Sequence, residues 1–163
     1  MEIYLGVDPG FTDLAYSVID TDGHILRTGV LCPKELGCGN TPREIENVLT
    51  ELGVTSVLGA SFERYVTYDG KSNPRSEEIL MVTGELRFWA SDRFGITPYM
   101  WRAIDWKNRM SKHLYKQGFR NPSDRLDKKF SVAAAEFTFG YDFDTDHEAD
   151  ASLLAYTARM LHR

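Results

Sequence analysis

Nowhere in the 163 residues is there an apolar run approaching the ~20 residues that a membrane span requires. The chain opens on a strand pattern, with no basic region ahead of an apolar stretch, so a cytoplasmic protein without a membrane partner is expected. Cysteine is scarce. Cys32 and Cys38 lie beside Gly37 and Gly39, are not spaced C-x-x-C, and meet no second Cys or His pair that would complete a zinc site. Reduced thiols are the reading. Repeats, low-complexity tracts and dividing linkers are absent, so residues 1–163 are expected to form a single domain with a core that needs no staples. Positive charge is in deficit, with a net charge of −5, which taken alone argues against a polyanionic partner.

The distribution of charge argues otherwise. Between Trp101 and Phe130 stand Arg102, Lys107, Arg109, Lys112, Lys116, Arg120, Arg125, Lys128 and Lys129 against Asp105, Asp124 and Asp127. A basic segment within an acidic chain marks either a polyanion-binding face or a well-solvated helix.

Ile3–Asp8 and Leu14–Ile19 are two apolar runs around a Pro-Gly turn, a hairpin, and His24–Val30 follows Asp22-Gly23 as a third strand. Thr41-Pro42 starts a helix with Ile45, Val48, Leu49 and Leu52 at helical spacing, stopped by Gly53. Ser56–Phe62 is a buried strand. A polar loop leads to a long helix capped by Ser76 and running to Phe94, then a short edge strand over 96–101. Helices are expected over Asp105–Gln117, from Ser123 or Asp124 to Phe137, and from Asp146 onward, with Asp146 as N-cap. The sum is an α/β fold with a mixed five-stranded sheet flanked by helices.

Four potential ligands come from the ends of these elements. Asp8 closes the first strand, where rigid backbone suits a metal ligand or general base, although an Asp there also caps turns. Glu63 closes the fourth strand, and His147 and Asp150 lie three apart on one face of the last helix. Asp150, between Ala149, Ala151 and Leu154, is a carboxylate on a core-facing side and needs a partner. Three carboxylates and one imidazole without thiolate suit Mg²⁺, with Mn²⁺ able to substitute, and two ions roughly 3.5–4 Å apart could grip one phosphate.

Leu5–Gly10, Phe62-Glu63 and His147–Ala151 resemble the motifs of RuvC-family Holliday-junction resolvases, which have the RNase H-like fold, and the order of elements agrees along essentially the whole chain. The resemblance implies that Asp8, Glu63, His147 and Asp150 are both the catalytic set and the ligands of two Mg²⁺ per active site. His147 stands where some members have Asp, and whether it binds metal or acts as a general base is left open. It also implies that Lys107 lies at the rim of the site, that Lys129 answers to a family lysine, and that Tyr65 or Tyr68 stacks on a DNA base. Arg102, Arg109, Lys112 and Lys116 would hold phosphates. The implied activity is symmetric nicking of four-way junctions by a homodimer, with the Ser76–Phe94 helix and its Phe88 and Trp89 at the interface. The alternative is an RNase H-like nuclease for flaps, forks or RNA/DNA hybrids. Compact size and the basic stretch Asn108–Asp127, which replaces a glycine-rich loop, suggest a phage-type member.

Overall fold

The computed structural model describes residues 1–66 and 74–162. Five strands form one mixed sheet in the order β3-β2-β1-β4-β5, where β1 is Glu2–Asp8, β2 Leu14–Asp20, β3 Ile25–Leu31, β4 Ser56–Glu63 and β5 Tyr99–Trp101. β1 pairs antiparallel with β2 and parallel with β4, and β5 extends the sheet parallel to β4. The mixed five-stranded α/β sheet is therefore as expected. The helices are α1 (Pro33–Leu36), α2 (Asn40–Glu51), α3 (Pro74–Phe94), α4 (Ala103–Tyr115), α5 (Lys128–Phe139) and α6 (Asp146–His162). No helix among the described residues is long and apolar enough to cross a membrane.

Alternation along β1 decides which side of the sheet does what. Ile3, Leu5 and Val7 pack with Ile45 and Leu49 of α2 and Val82, Leu86 and Ala90 of α3. Their neighbours Tyr4, Gly6 and Asp8 face the other way, toward α6. α6 is buried on two sides: Ala155 and Ala158 lie against the sheet, while Ala149, Leu153 and Leu154 meet Trp106, Met110 and Leu114 of α4 and Phe130 and Ala134 of α5. The layers run α2/α3, sheet, α6, α4/α5. A helix apolar most of the way round is what such an interior place requires.

β4 carries an irregularity that redirects its end. Ile3 pairs with Val57, but Tyr4 pairs with Gly59, so Leu58 is one residue more than β1 supplies. Val57 faces the α2/α3 core, and beyond the bulge it is Ala60 and Phe62 that do so. Gly59, Ser61 and Glu63 are thereby turned to the α6 side, the side of Asp8.

Several ends differ from expectation. Thr145, not Asp146, caps α6: its hydroxyl accepts the Glu148 N–H at 3.1 Å and donates to the Glu148 carboxylate at 3.2 Å, a form of capping box. α5 starts at Lys128 because Asp127 accepts the N–H groups of Lys129 and Phe130. Ser76 lies inside α3, where its hydroxyl donates to Tyr65, and the loop of Cys32 and Cys38 contains the short α1. α2 begins at Asn40 after a left-handed Gly39, two residues ahead of Pro42. The edge strand shrinks to three residues because Pro98 has no N–H to give the sheet.

Candidate active site

Parallel pairing of β1 with β4 sets Val7 beside Phe62, so Asp8 and Glu63 leave the sheet side by side at its carboxyl edge. The first turn of α6 comes over the same edge. His147 Nδ1 donates to Asp8 Oδ2 at 2.8 Å. Lys107, from α4, donates to Asp150 Oδ2 at 3.0 Å, and Trp106 donates its indole N–H to Glu63 Oε2 at 2.8 Å. Asp8, Lys107 and Asp150 are each only 9% exposed. Such groups are buried only when paired, and here Lys107 and Asp150 pair with each other and Asp8 with the His147 imidazole.

The four expected ligands are thus gathered at one place, each carboxylate with a resident partner. They do not close on a common point: among the described residues the one acidic group whose ligand atoms all lie within 4.8 Å of one another is Asp20, Asp22 and His24, at the β2–β3 turn. In that turn Asp20 is already occupied, accepting from Gly23 N at 2.7 Å, His24 N at 2.8 Å and His24 Nδ1 at 3.1 Å. At the site, the carboxylates act on one another through their charges. Burial, then the charge of Asp8, push the Glu63 carboxyl up to about 7, with Asp150 adding to the rise and the Trp106 N–H opposing it. Burial also raises Asp150, against the Lys107 ammonium and the Ser131 hydroxyl, and Asp8 adds to the rise. The bond to Asp8 raises His147.

A hard divalent cation fits this donor set. Asp150 Oδ1 is buried with no donor at hydrogen-bond distance, the nearby Ser131 hydroxyl being given to the Asp127 carbonyl at 3.3 Å, so one carboxylate oxygen stays open in a cluster already short of positive charge. Oxygen donors with one imidazole suit Mg²⁺ or Mn²⁺ better than softer ions.

The shifts also fix how the metal-free protein responds to pH. Glu63 and Asp150 are acids whose folded values exceed their unfolded ones. The native state then holds more protons than the unfolded chain, and stability falls as pH rises through that window. His147, raised above 6.5, contributes stability that is complete below about 6.5 and lost as pH climbs through its folded value. Asp20, Glu46, Asp105, Asp127 and Asp146 are held low, so their contribution is in place above about 4.5 and goes only at lower pH. In chelator the thermal midpoint should therefore fall between pH 5 and 8, Glu63 alone supplying about 3 kcal/mol, and Mg²⁺ should reverse the trend by favouring the ionised ligands. A midpoint that rises with pH in chelator would contradict the burial of these groups.

The expected DNA-contacting residues divide into several places. Lys107 is inside the site, paired, not at its exposed rim. Arg109, Lys112 and Lys116 are exposed about 140–200° round α4 from Lys107, and so share a different face. Arg102 forms a two-point pair with Asp105 at 2.6 and 3.0 Å. Lys129 is exposed and lines a groove of about 640 Å³ with Lys128, Val132, Thr145 and Asp146. Tyr65 packs back toward α3, its hydroxyl accepting from Ser76 at 3.3 Å, and Tyr68 lies outside the described residues. Phe88 is 73% exposed on α3 with Leu80 and Met81, whereas Trp89 turns inward and its indole reaches Glu46 at 3.4 Å.

Two residues at the site escaped the sequence reading. Trp106 had no signal beyond its place next to Lys107. Lys128, 2.8 Å from Asp146, has its ammonium favoured by that bond and by the charges of Asp150 and Asp8. It is therefore closer to the cluster electrostatically than its neighbour Lys129. Capping decides between them: Asp127 starts the helix at Lys128, which puts that side chain in the first turn beside α6.

No family model matches the sequence, and no curated protein does either. Solved structures do match the fold. RuvC of Thermus thermophilus bound to a Holliday junction substrate superposes with a TM-score of 0.70 at 16% identity, covering 96% of this chain and 92% of that one. A second Thermus thermophilus RuvC structure gives 0.68 at 18% identity over 95% and 92%. The yeast mitochondrial Holliday junction resolvase gives 0.56 at 15% identity over 97% and 78%. At these identities what is shared is the fold, and the RuvC-type, RNase H-like architecture expected from the motifs is borne out.

Proposed function

We propose that this protein is a divalent-metal-dependent, structure-selective DNA endonuclease that resolves four-way junctions. The observation that carries the proposal is the meeting of Asp8, Glu63, His147 and Asp150 at one sheet edge, three carboxylates whose charges act on one another, with Asp150 Oδ1 left open beside them. The fold adds to it, since the Thermus thermophilus neighbour is described in complex with a Holliday junction.

Asp8, Glu63, His147 and Asp150 would hold two Mg²⁺ ions, which when bound supply an activated water and neutralise the leaving oxygen of a phosphodiester. Asp8 stands between the other ligands, since it is bonded to His147 and its charge acts on both Glu63 and Asp150. His147 orients Asp8 and can carry a proton at the site. Lys107 keeps Asp150 from standing as a lone buried charge and offers its ammonium to the phosphate being cut. Lys128 and Lys129 line the groove next to α6 and suit the adjoining backbone. Arg109, Lys112 and Lys116 suit a second arm, gripping phosphates without reading bases. Symmetric cutting needs two sites, and the exposed Leu80, Met81 and Phe88 of α3 suit the interface of a homodimer.

The test is cleavage of a labelled synthetic four-way junction with and without Mg²⁺, beside matched duplex, flap, fork and RNA/DNA hybrid. Junction nicked symmetrically and faster than every control supports the proposal. A flap, fork or hybrid cut faster reassigns the substrate, and plain duplex cut as fast removes structure selectivity. Replacing Lys112 and Lys116 together with Ala should weaken junction binding and reduce the slope of log affinity against log salt by about 2. An unchanged slope takes those lysines out of the DNA interface.

A further inference from the structure

Trp106 is the largest fully buried side chain among the described residues, and its one polar atom is in use. The indole N–H donates to Glu63 Oε2 at 2.8 Å, while the Lys107 ammonium lies 5.1 Å from the indole ring centre. Lys107 in turn holds Asp150 at 3.0 Å. One side chain therefore touches a carboxylate from β4 through its edge and the counter-ion of a carboxylate from α6 through its face. A buried indole demands an acceptor for its N–H, which Phe or Leu in the same apolar niche would not. The demand is met here by a carboxylate of the site. The other two tryptophans differ: the Trp101 indole N–H is buried without a partner, and Trp89 reaches Glu46, away from the site. The ring of Trp106 is also set rigidly, because it packs among Met110, Leu114, Phe130, Ala149 and Leu153 in the core between α4, α5 and α6. Successive residues on a helix point about 100° apart, so Trp106 and Lys107 serve two neighbouring carboxylates from one turn of α4.

We propose that Trp106 is a positioning residue for the reaction, an inference that rests on the metal site above: its N–H fixes Glu63 by Oε2 and leaves Oε1 for the ion, and its ring steadies Lys107 beside Asp150. A glutamate at the end of a strand swings about three side-chain bonds unless something holds it. A partner that orients a metal ligand in this way raises affinity without touching the metal.

Trp106→Phe keeps an aromatic ring in the core and removes the N–H. Mn²⁺ titrated calorimetrically into the DNA-free protein should bind about 10–100-fold more weakly in this variant, the range seen when such a partner is lost. On the four-way junction kcat should fall while KM for DNA stays within about twofold, because no phosphate contact is removed. Mn²⁺ affinity equal to wild type overturns the positioning role. Wild type that binds no Mn²⁺ removes the metal site and the role with it, whereas wild type that binds and cuts no better than Trp106→Phe removes the role alone. Should the variant fail to fold, the indole N–H resonance of intact wild type decides. At pH 8, above the Glu63 value, it should lie downfield, as for a charged acceptor, and move upfield in Glu63→Gln; a Trp106 signal indifferent to Glu63→Gln overturns the proposal.

Discussion

Asp8→Asn should lower junction cleavage by at least about 10³-fold, equivalent to about 4 kcal/mol of transition-state stabilisation, while leaving junction binding intact. The same substitution should raise the thermal midpoint of the metal-free protein at pH 8. Both effects come from one charge. Asp8 is the acid whose field acts on Glu63 and on Asp150, and next to burial it is the largest influence raising Glu63. Removing that charge relieves the cluster when all three carboxylates are ionised, and a gain of about 1 kcal/mol in a chain of this size is roughly 2–4 °C. What is lost is the oxygen donor set, so added Mg²⁺ should no longer raise the midpoint. Stability and activity moving in opposite directions is the pattern of a site that keeps repulsion for function. Parallel measurements of melting with and without Mg²⁺ and of single-turnover cleavage check it. Undiminished cutting by Asp8→Asn would remove the metal mechanism, and a lower midpoint in chelator would mean that Asp8 is held mainly by its bond to His147.

Gly6→Ala should be the most damaging small substitution in the sheet. A Cβ at Gly6 would lie 1.9 Å from Ala151 O and 2.4 Å from Ala155 N, both backbone atoms of α6. Neither can rotate away, so the helix itself must retreat by roughly 1 Å or more. Overpacking against backbone puts the cost at the upper end of about 1–3 kcal/mol or beyond. The damage is not only to stability. Gly6 is two residues from Asp8 on β1, and Ala151 follows Asp150 on α6, so the retreat opens the distance across the site. A displacement of about 1 Å is enough for roughly 10²-fold in rate. Gly59→Ala on the adjacent strand is the control, since its Cβ would meet Tyr4 at an ordinary 3.5 Å. Denaturant unfolding and cleavage rates for the two variants check the contrast. Equal behaviour would show that α6 does not set the site's width.

How much of this could be read in the chain follows from what kind of force places each part. The ends of β1 and β4 were legible because an acid after a run of buried apolar residues is a local pattern, and Asp8 and Glu63 both stand at such ends. His147 and Asp150 were legible through helical spacing. That Glu63 faces α6 was not, because it depends on the extra residue at Leu58, and a bulge is a matter of pairing between strands that sequence alone does not record. The start of α5 was misplaced for a related reason: Ser123, Asp124 and Asp127 are all good caps, and only the observed bonds select Asp127. The fate of the basic segment was hidden too. A run of lysines and arginines reads as one surface, yet the helix turns Lys107 inward against Asp150 and leaves Lys112 and Lys116 on another face. Trp106 was invisible since one hydrogen bond to a residue 43 positions away separates it from any core tryptophan.

Crystals grown with Mn²⁺ and read by anomalous scattering put the shared ion site to the sharpest test. Density should appear bounded by Asp8, Glu63, His147 and Asp150, with Asp150 Oδ1 toward the ion and the Lys107 ammonium still at Oδ2. Density only at the Asp20–Asp22–His24 turn, at Mn²⁺ concentrations that support cleavage, would contradict the account.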